Sequence, residues 1–161
     1  MTWIKAHWKA LIIALVLLLG AAWYTRPVDI YGLGIGELEA LNAYVGHNEP
    51  GQGVDIVWST GAVPGDGQWQ KVLGELEGLR FRRPLGNLIR EYRQSEYIKT
   101  EPADLTCVVF HLMDRQGRYM ILQIGANHSC YTSFHTSSNL PMRLSGGEAA
   151  AQALAERLQE L

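Results

Sequence analysis

His111, His128 and His135 lie close in sequence to Cys107 and Cys130, and together they carry donor atoms from which a metal centre or a nucleophilic site could be assembled. A metal would need them at a spacing that one site can collect. The pattern C-x3-H followed by H-x-C-x4-H matches no common zinc module. Ser129, Ser133, Ser137 and Ser138 flank His128 and His135, yet the chain has no Gly-x-Ser-x-Gly elbow to strain and expose a serine. Glu37/Glu39 and Glu75/Glu77 suit solvated faces of a strand or helix better than a catalytic carboxylate pair. Gly32-x-Gly34-x-Gly36 lacks the Lys-Ser/Thr of a phosphate loop and reads as a flexible stem. Asn127-His128-Ser129 fits a glycosylation sequon, which matters only in a eukaryotic secretory pathway. No catalytic set, metal or cofactor is expected. An enzyme or metal site in the His111/His128/His135 region is the alternative.

Binding chemistry has one clear candidate. Arg80, Arg82, Arg83, Arg90 and Arg93, interleaved with Phe81 and Tyr92, form the basic cluster of the chain. They could meet an anionic partner such as a cell-wall polymer or lipid headgroups, with Tyr92 and Tyr97 as aromatic contacts. The charged edge of a sheet, where positive side chains discourage strand pairing, is the favoured reading of the cluster over such binding.

The cysteines depend on the elements that carry them. Leu105 to Ile124 reads as a hairpin, LTCVVFHLM and RYMILQI, around Asp114-Arg115-Gln116-Gly117, which suits a type I turn with glycine at a left-handed position. This register sets Val108, Phe110 and Leu112 on one face with Met120, Leu122 and Ile124. Cys107, Val109 and His111 fall on the other face with Tyr119, Ile121 and Gln123. A third strand is expected over Ser129 to Phe134 and a short fourth over Leu140 to Leu144. A Cys107–Cys130 disulfide would stabilise by about 3 kcal/mol. The intervening strand and the opposite faces favour two separate packed thiols; both outcomes stay open.

Before the hairpin, Leu38 to Val45 and Val54 to Trp58 read as strands, although Gly36 to Ala43 could be helical. Trp69, Val72, Leu73, Leu76 and Leu79 have helical spacing behind an Asp66 N-cap, weakened by Gly74 and Gly78. Leu85 to Thr100 is ambiguous. At the end, Ser145-Gly146-Gly147-Glu148 matches a capping box ahead of the stripe Ala150, Leu154, Leu158, Leu161. The expected fold is α+β: an antiparallel meander with helices packed on one face.

What precedes this domain is different in kind. Ala10 to Tyr24 is an unbroken apolar run preceded by Lys5 and Lys9, with Trp3 and Trp8 before it and Trp23 and Tyr24 at its end. A helix from Trp3 to Trp23 would rise about 30 Å, the thickness of a hydrocarbon core. The aromatic flanks resemble interfacial belts, and two lysines before the run against Arg26 after it favour a cytoplasmic N-terminus. A retained signal anchor is favoured over cleavage after Ala22, and a soluble core helix is disfavoured. The expected organisation is a cytoplasmic N-terminus (1–9), a transmembrane anchor (10–25), a juxtamembrane stem (26–36) and an extracytoplasmic domain (37–161).

The whole chain of 161 residues carries a net charge of −2, but all 16 acids lie at or beyond Asp29. The near-neutral whole-chain charge argues against a nucleic-acid binder, and beyond Arg26 only 11 basic residues face those acids, a net charge of −5. The segments ALIIALVLLLG, WQKVLGELEGL, FHLMDRQGRYMILQI and LSGGEAAAQALAERL together resemble small exported domains behind a signal anchor in Gram-positive bacterial membrane proteins. That resemblance implies a single-pass protein with an α+β domain outside the membrane and brings no catalytic residues with it. The expected function is a binding or accessory module, with membrane lipid and another envelope protein or anionic wall polymer as partners.

Overall fold

The computed structural model describes residues 2–49, 53–85, 106–125, 129–134 and 137–161. Its elements are α1 (Thr2–Tyr24), a single 3-10 turn (Tyr31–Leu33), β1 (Leu38–Glu49), β2 (Gly53–Ala62), α2 (Gly67–Gly78), β3 (Phe81–Arg82), β4 (Thr106–Asp114), β5 (Tyr119–Gly125), β6 (Ser129–Phe134), β7 (Ser137–Leu144) and α3 (Gly147–Gln159). The strands form one antiparallel sheet in the order β2-β1-β4-β5-β6-β7-β3, and the fold is α+β. Gly36 to Ala43 contains no helix; the alternation through Leu41, Ala43 and Val45 buries one strand face.

The β4–β5 register pairs Val108 with Ile124, Phe110 with Leu122 and Leu112 with Met120, and all six side chains are buried. Their face is the core side. Trp69, Val72 and Leu76 of α2 and Leu154, Ala155 and Leu158 of α3 close over it, and the two helices pack on one another. The outer face carries Tyr44, Val109, His111, Tyr119, Ile121 and Gln123, all half-buried. Three strands run longer than their apolar cores suggest: β1 extends to Glu49, β2 extends to Ala62 and β7 begins at Ser137. Hydrogen-bonded neighbours carry polar residues into a ladder that hydrophobic alternation alone does not mark.

Asp66 caps α2 as its sequence position implies, accepting from Gln68 N at 3.0 Å. The capping box ahead of α3 does not form. Gly146, not Ser145, is the N-cap; it is left-handed (φ 93°) and supplies no side-chain cap. A Cβ there would meet the Ala150 Cβ at 2.8 Å, so a side chain is barred by both backbone and packing.

The segment expected as a stem, 26–36, is packed into the domain. Val28 bridges Phe81 with two backbone hydrogen bonds of 2.8 and 2.9 Å, and Ile30 and Ile35 join the core. Gly36 N then donates to the Asp114 carboxylate at 2.9 Å. That carboxylate, fully buried at the β4–β5 turn, also accepts from Gln116 N, Arg118 N and Arg118 Nε at 2.9, 2.9 and 2.7 Å. A Cβ on Gly36 would lie within 2.9 Å of the Asp114 and Arg118 side chains, so this close approach requires glycine. Gly117 closes the turn at φ 73°, as its sequence position predicts.

Burial alone would raise the Asp114 pKa, but the hydrogen bonds from Arg118, Gly36 and Gln116 outweigh it and hold the group at about 2, below its ordinary 3.8. A depressed carboxyl stabilises the fold above its unfolded value and loses that contribution as pH falls through its folded one. Acid denaturation of the full chain in uncharged detergent is therefore expected to show stability falling between about pH 4 and pH 2. Asp114→Asn should be less stable at pH 7 and lose less over that acid range. Equal acid sensitivity in both proteins would place the titrating group elsewhere.

Candidate anion-binding cleft

β3 is only two residues long, yet it sets the geometry of the cluster it belongs to. Phe81 pairs with Leu144 and both are buried, while Arg82 pairs with Arg143 and both are exposed. Strand alternation thus places two guanidinium-bearing side chains directly opposite one another on the same face, with Cβ atoms about 5 Å apart. Like charges in such a pair repel. Among the described residues no carboxylate lies within ion-pair distance of Arg82, Arg83 or Arg143; the acids that do pair are Glu37, Glu75 and Asp114, with Arg115, Arg157 and Arg118.

Arg82, Arg83 and Arg143 line a cleft of about 570 Å³ together with Thr25 and the Ser145-Gly146-Gly147 turn. That turn begins α3, whose first N–H groups have no side-chain cap and carry the positive end of the helix dipole. The Ser145 hydroxyl is buried and has no hydrogen-bond partner among the described residues. Three cations and a helix start without a side-chain cap border one concavity, with Glu148 the acid of that helix's first turn. Guanidinium forks and backbone N–H groups are the kinds of donor that suit an oxyanion.

The basic cluster divides accordingly. Arg80 is turned to the end of α2, donating to the Glu77 and Leu79 carbonyls at 2.7 and 2.8 Å. It lines a neighbouring cleft of about 390 Å³ with Glu75 and Arg157. Arg82 and Arg83 face the larger cleft, whereas Arg90, Tyr92, Arg93 and Tyr97 lie outside the described residues. Arg143 has no local signature in the sequence. It sits alone between Met142 and Leu144, and only the β3–β7 pairing, across some sixty positions, brings it beside Arg82. β3 is the last strand of the sheet, its outer side bridged by Val28 at Phe81, so edge protection could apply to Arg82 but not to Arg143, because β7 is interior.

The other candidates are placed apart from this cleft. His111 lies on the outer sheet face between Tyr44 and Tyr119, with ring centroids 5.2 and 5.7 Å away in edge-on geometry. Its Nδ1 shares a hydrogen bond with the Tyr119 hydroxyl. Burial lowers the His111 pKa, while burial and then Tyr44 raise that of Tyr119. His128 and His135 lie outside the described residues. Among the described residues no three His, Cys, Asp or Glu side chains gather as a metal site.

Cys107 and Cys130 are both thiols. Cys107 pairs with Gly125 and Cys130 with Ile124, on opposite sides of β5 and on opposite sheet faces. Burial pushes the Cys130 thiol up to about 12, against a weaker opposing hydrogen bond at the Leu144 backbone, which suits packing and not nucleophilic attack. In comparisons with known proteins, the chain matches no protein-family model, no curated protein and no solved structure at a significant level.

The arginine pair makes a stability prediction. Arg143→Glu should replace a cross-strand repulsion with an attraction and stabilise the unliganded chain by about 0.2–1 kcal/mol in denaturant titration. A loss of stability would show that the two guanidiniums are already compensated within the fold.

Proposed function

We propose that this chain is a single-pass membrane protein whose extracytoplasmic α+β domain is a non-catalytic binding module for an anionic group held in the arginine cleft. The observation that carries this reading is the Arg82–Arg143 pair, two directly opposed cations beside Arg83 with no carboxylate among the described residues within ion-pair distance. A fold that keeps such a pair next to an uncapped helix start has a site complementary to negative charge.

The membrane part of the proposal is supported by α1. His7–Tyr24 is long and apolar enough to span, with a mean hydropathy of 1.6 and none of it buried against the domain. Lys9 lies over the Trp8 ring at 5.9 Å and Arg26 over the Trp23 ring at 5.1 Å, so each end of the span carries a cation on an interfacial aromatic. The lysine-bearing N-terminus is assigned to the cytoplasm by the positive-inside rule. Alkaline carbonate washing of membranes should leave the chain in the pellet, and protease added to spheroplasts should reach the domain; release by carbonate or full protection would refute the anchor or its orientation.

Anion binding is tested with the full chain in uncharged detergent. Inorganic phosphate should raise the unfolding temperature above that in chloride at matched ionic strength. The double variant Arg82→Ala/Arg143→Ala should unfold cooperatively and lose this response. No response in the parent protein, or an undiminished one in the variant, would overturn the reading.

A further inference from the structure

We infer that the anion in this cleft is the phosphate of an anionic phospholipid from the same leaflet into which α1 is set. This inference rests on the anion-binding reading above and adds the source of the ligand. It starts from Thr25, which lines the cleft and directly follows the last residue of α1. Thr25 is still tied to the helix: its N–H and its hydroxyl donate to the Ala21 carbonyl at 3.0 and 2.9 Å. The cleft therefore reaches the first residue beyond the apolar span, with no intervening linker.

Two lengths fix its depth. Tyr24 and Val28 are four residues apart, a reach of at most about 14 Å, and Val28 is held in the sheet by its bridge to Phe81, the neighbour of Arg82. The headgroup zone on each side of a bilayer is about 5–8 Å thick. With Trp23 and Arg26 at the interface, the guanidiniums of Arg82, Arg83 and Arg143 stand at or just above the phosphate layer. A site for a free solute would have no need of this placement. A lipid phosphate is already concentrated there, and the domain's overall acidity, which repels a soluble anion, is offset locally by three cations.

The consequence is that bound lipid clamps the domain onto the bilayer surface. Basic residues near an anionic surface contribute about 1 kcal/mol each, so loss of all three should weaken retention of anionic lipid about a hundredfold. The full chain is reconstituted in nanodiscs of phosphatidylcholine with phosphatidylglycerol, extracted in mild uncharged detergent and weighed by native mass spectrometry. The expected result is a retained phosphatidylglycerol, lost in Arg82→Ala/Arg83→Ala/Arg143→Ala and restored when the same three positions carry lysine. Circular dichroism confirms that each variant is folded.

Equal lipid retention by the folded alanine variant would overturn the inference, because the lipid would then be held by the span alone. A thermal shift with inorganic phosphate or a soluble polyphosphate, but no retained phosphatidylglycerol, would overturn the lipid assignment and leave the anion cleft standing. Absence of both responses would overturn both.

Discussion

The buried carboxylate of Asp114 is the interaction on which the rest of the domain depends. It sits where β4 turns into β5, and its two oxygens are shared between that turn and the chain arriving from α1. Through Gly36 it fixes the start of β1, and β1 is the strand that joins the β2 hairpin to the β4–β7 meander. A desolvated carboxylate is costly unless its lone pairs are filled. Here four donors fill them, and the exposed Arg115–Glu37 pair at 2.9 Å only reinforces the same junction from outside.

The opposite edge is organised by apolar contacts. After β2 the chain crosses the core face as α2 and re-enters the sheet at its far side as β3. Two residues suffice for a strand because Phe81 is fully buried and its backbone is paired on both sides, by Val28 and by β7. The same alternation that buries Phe81 and Leu144 forces Arg82 and Arg143 outward together. The charge concentration of the cleft is thus a by-product of register, and the glycine turn into α3 and the end of α1 border it.

Much of this was legible in the sequence where the signal was local. The hairpin register followed from six alternating apolar residues and a four-residue turn, the Asp66 cap from one side chain two residues before its donor, and α1 from composition. Signals that needed distant partners were not. Ser145 and Glu148 have capping-box spacing, but close packing of Gly146 against Ala150 moves the cap one residue on. The glycines of 32–36 read as flexible, yet Gly32 and Gly34 donate locally to the Asp29 carboxylate and the Tyr31 carbonyl, and only Gly36 depends on a partner far along the chain, Asp114. Of the cleft, Arg82 and Arg83 were visible as part of a basic run; Arg143 had no local signature, and Arg80 was indistinguishable from its neighbours until its helix-capping bonds were seen.

The bridge between Val28 and Phe81 makes the junction with α1 a short lever and not a tether. A domain on a long linker samples every orientation above its anchor and gains only proximity from being attached. Three residues, Thr25, Arg26 and Pro27, leave almost no such freedom. With α1 set in a bilayer as proposed, a change in its tilt is transmitted as a rotation of the whole sheet, β2 edge included. Bilayer thickness, which sets helix tilt, then becomes a mechanical input to how the domain presents its outer face.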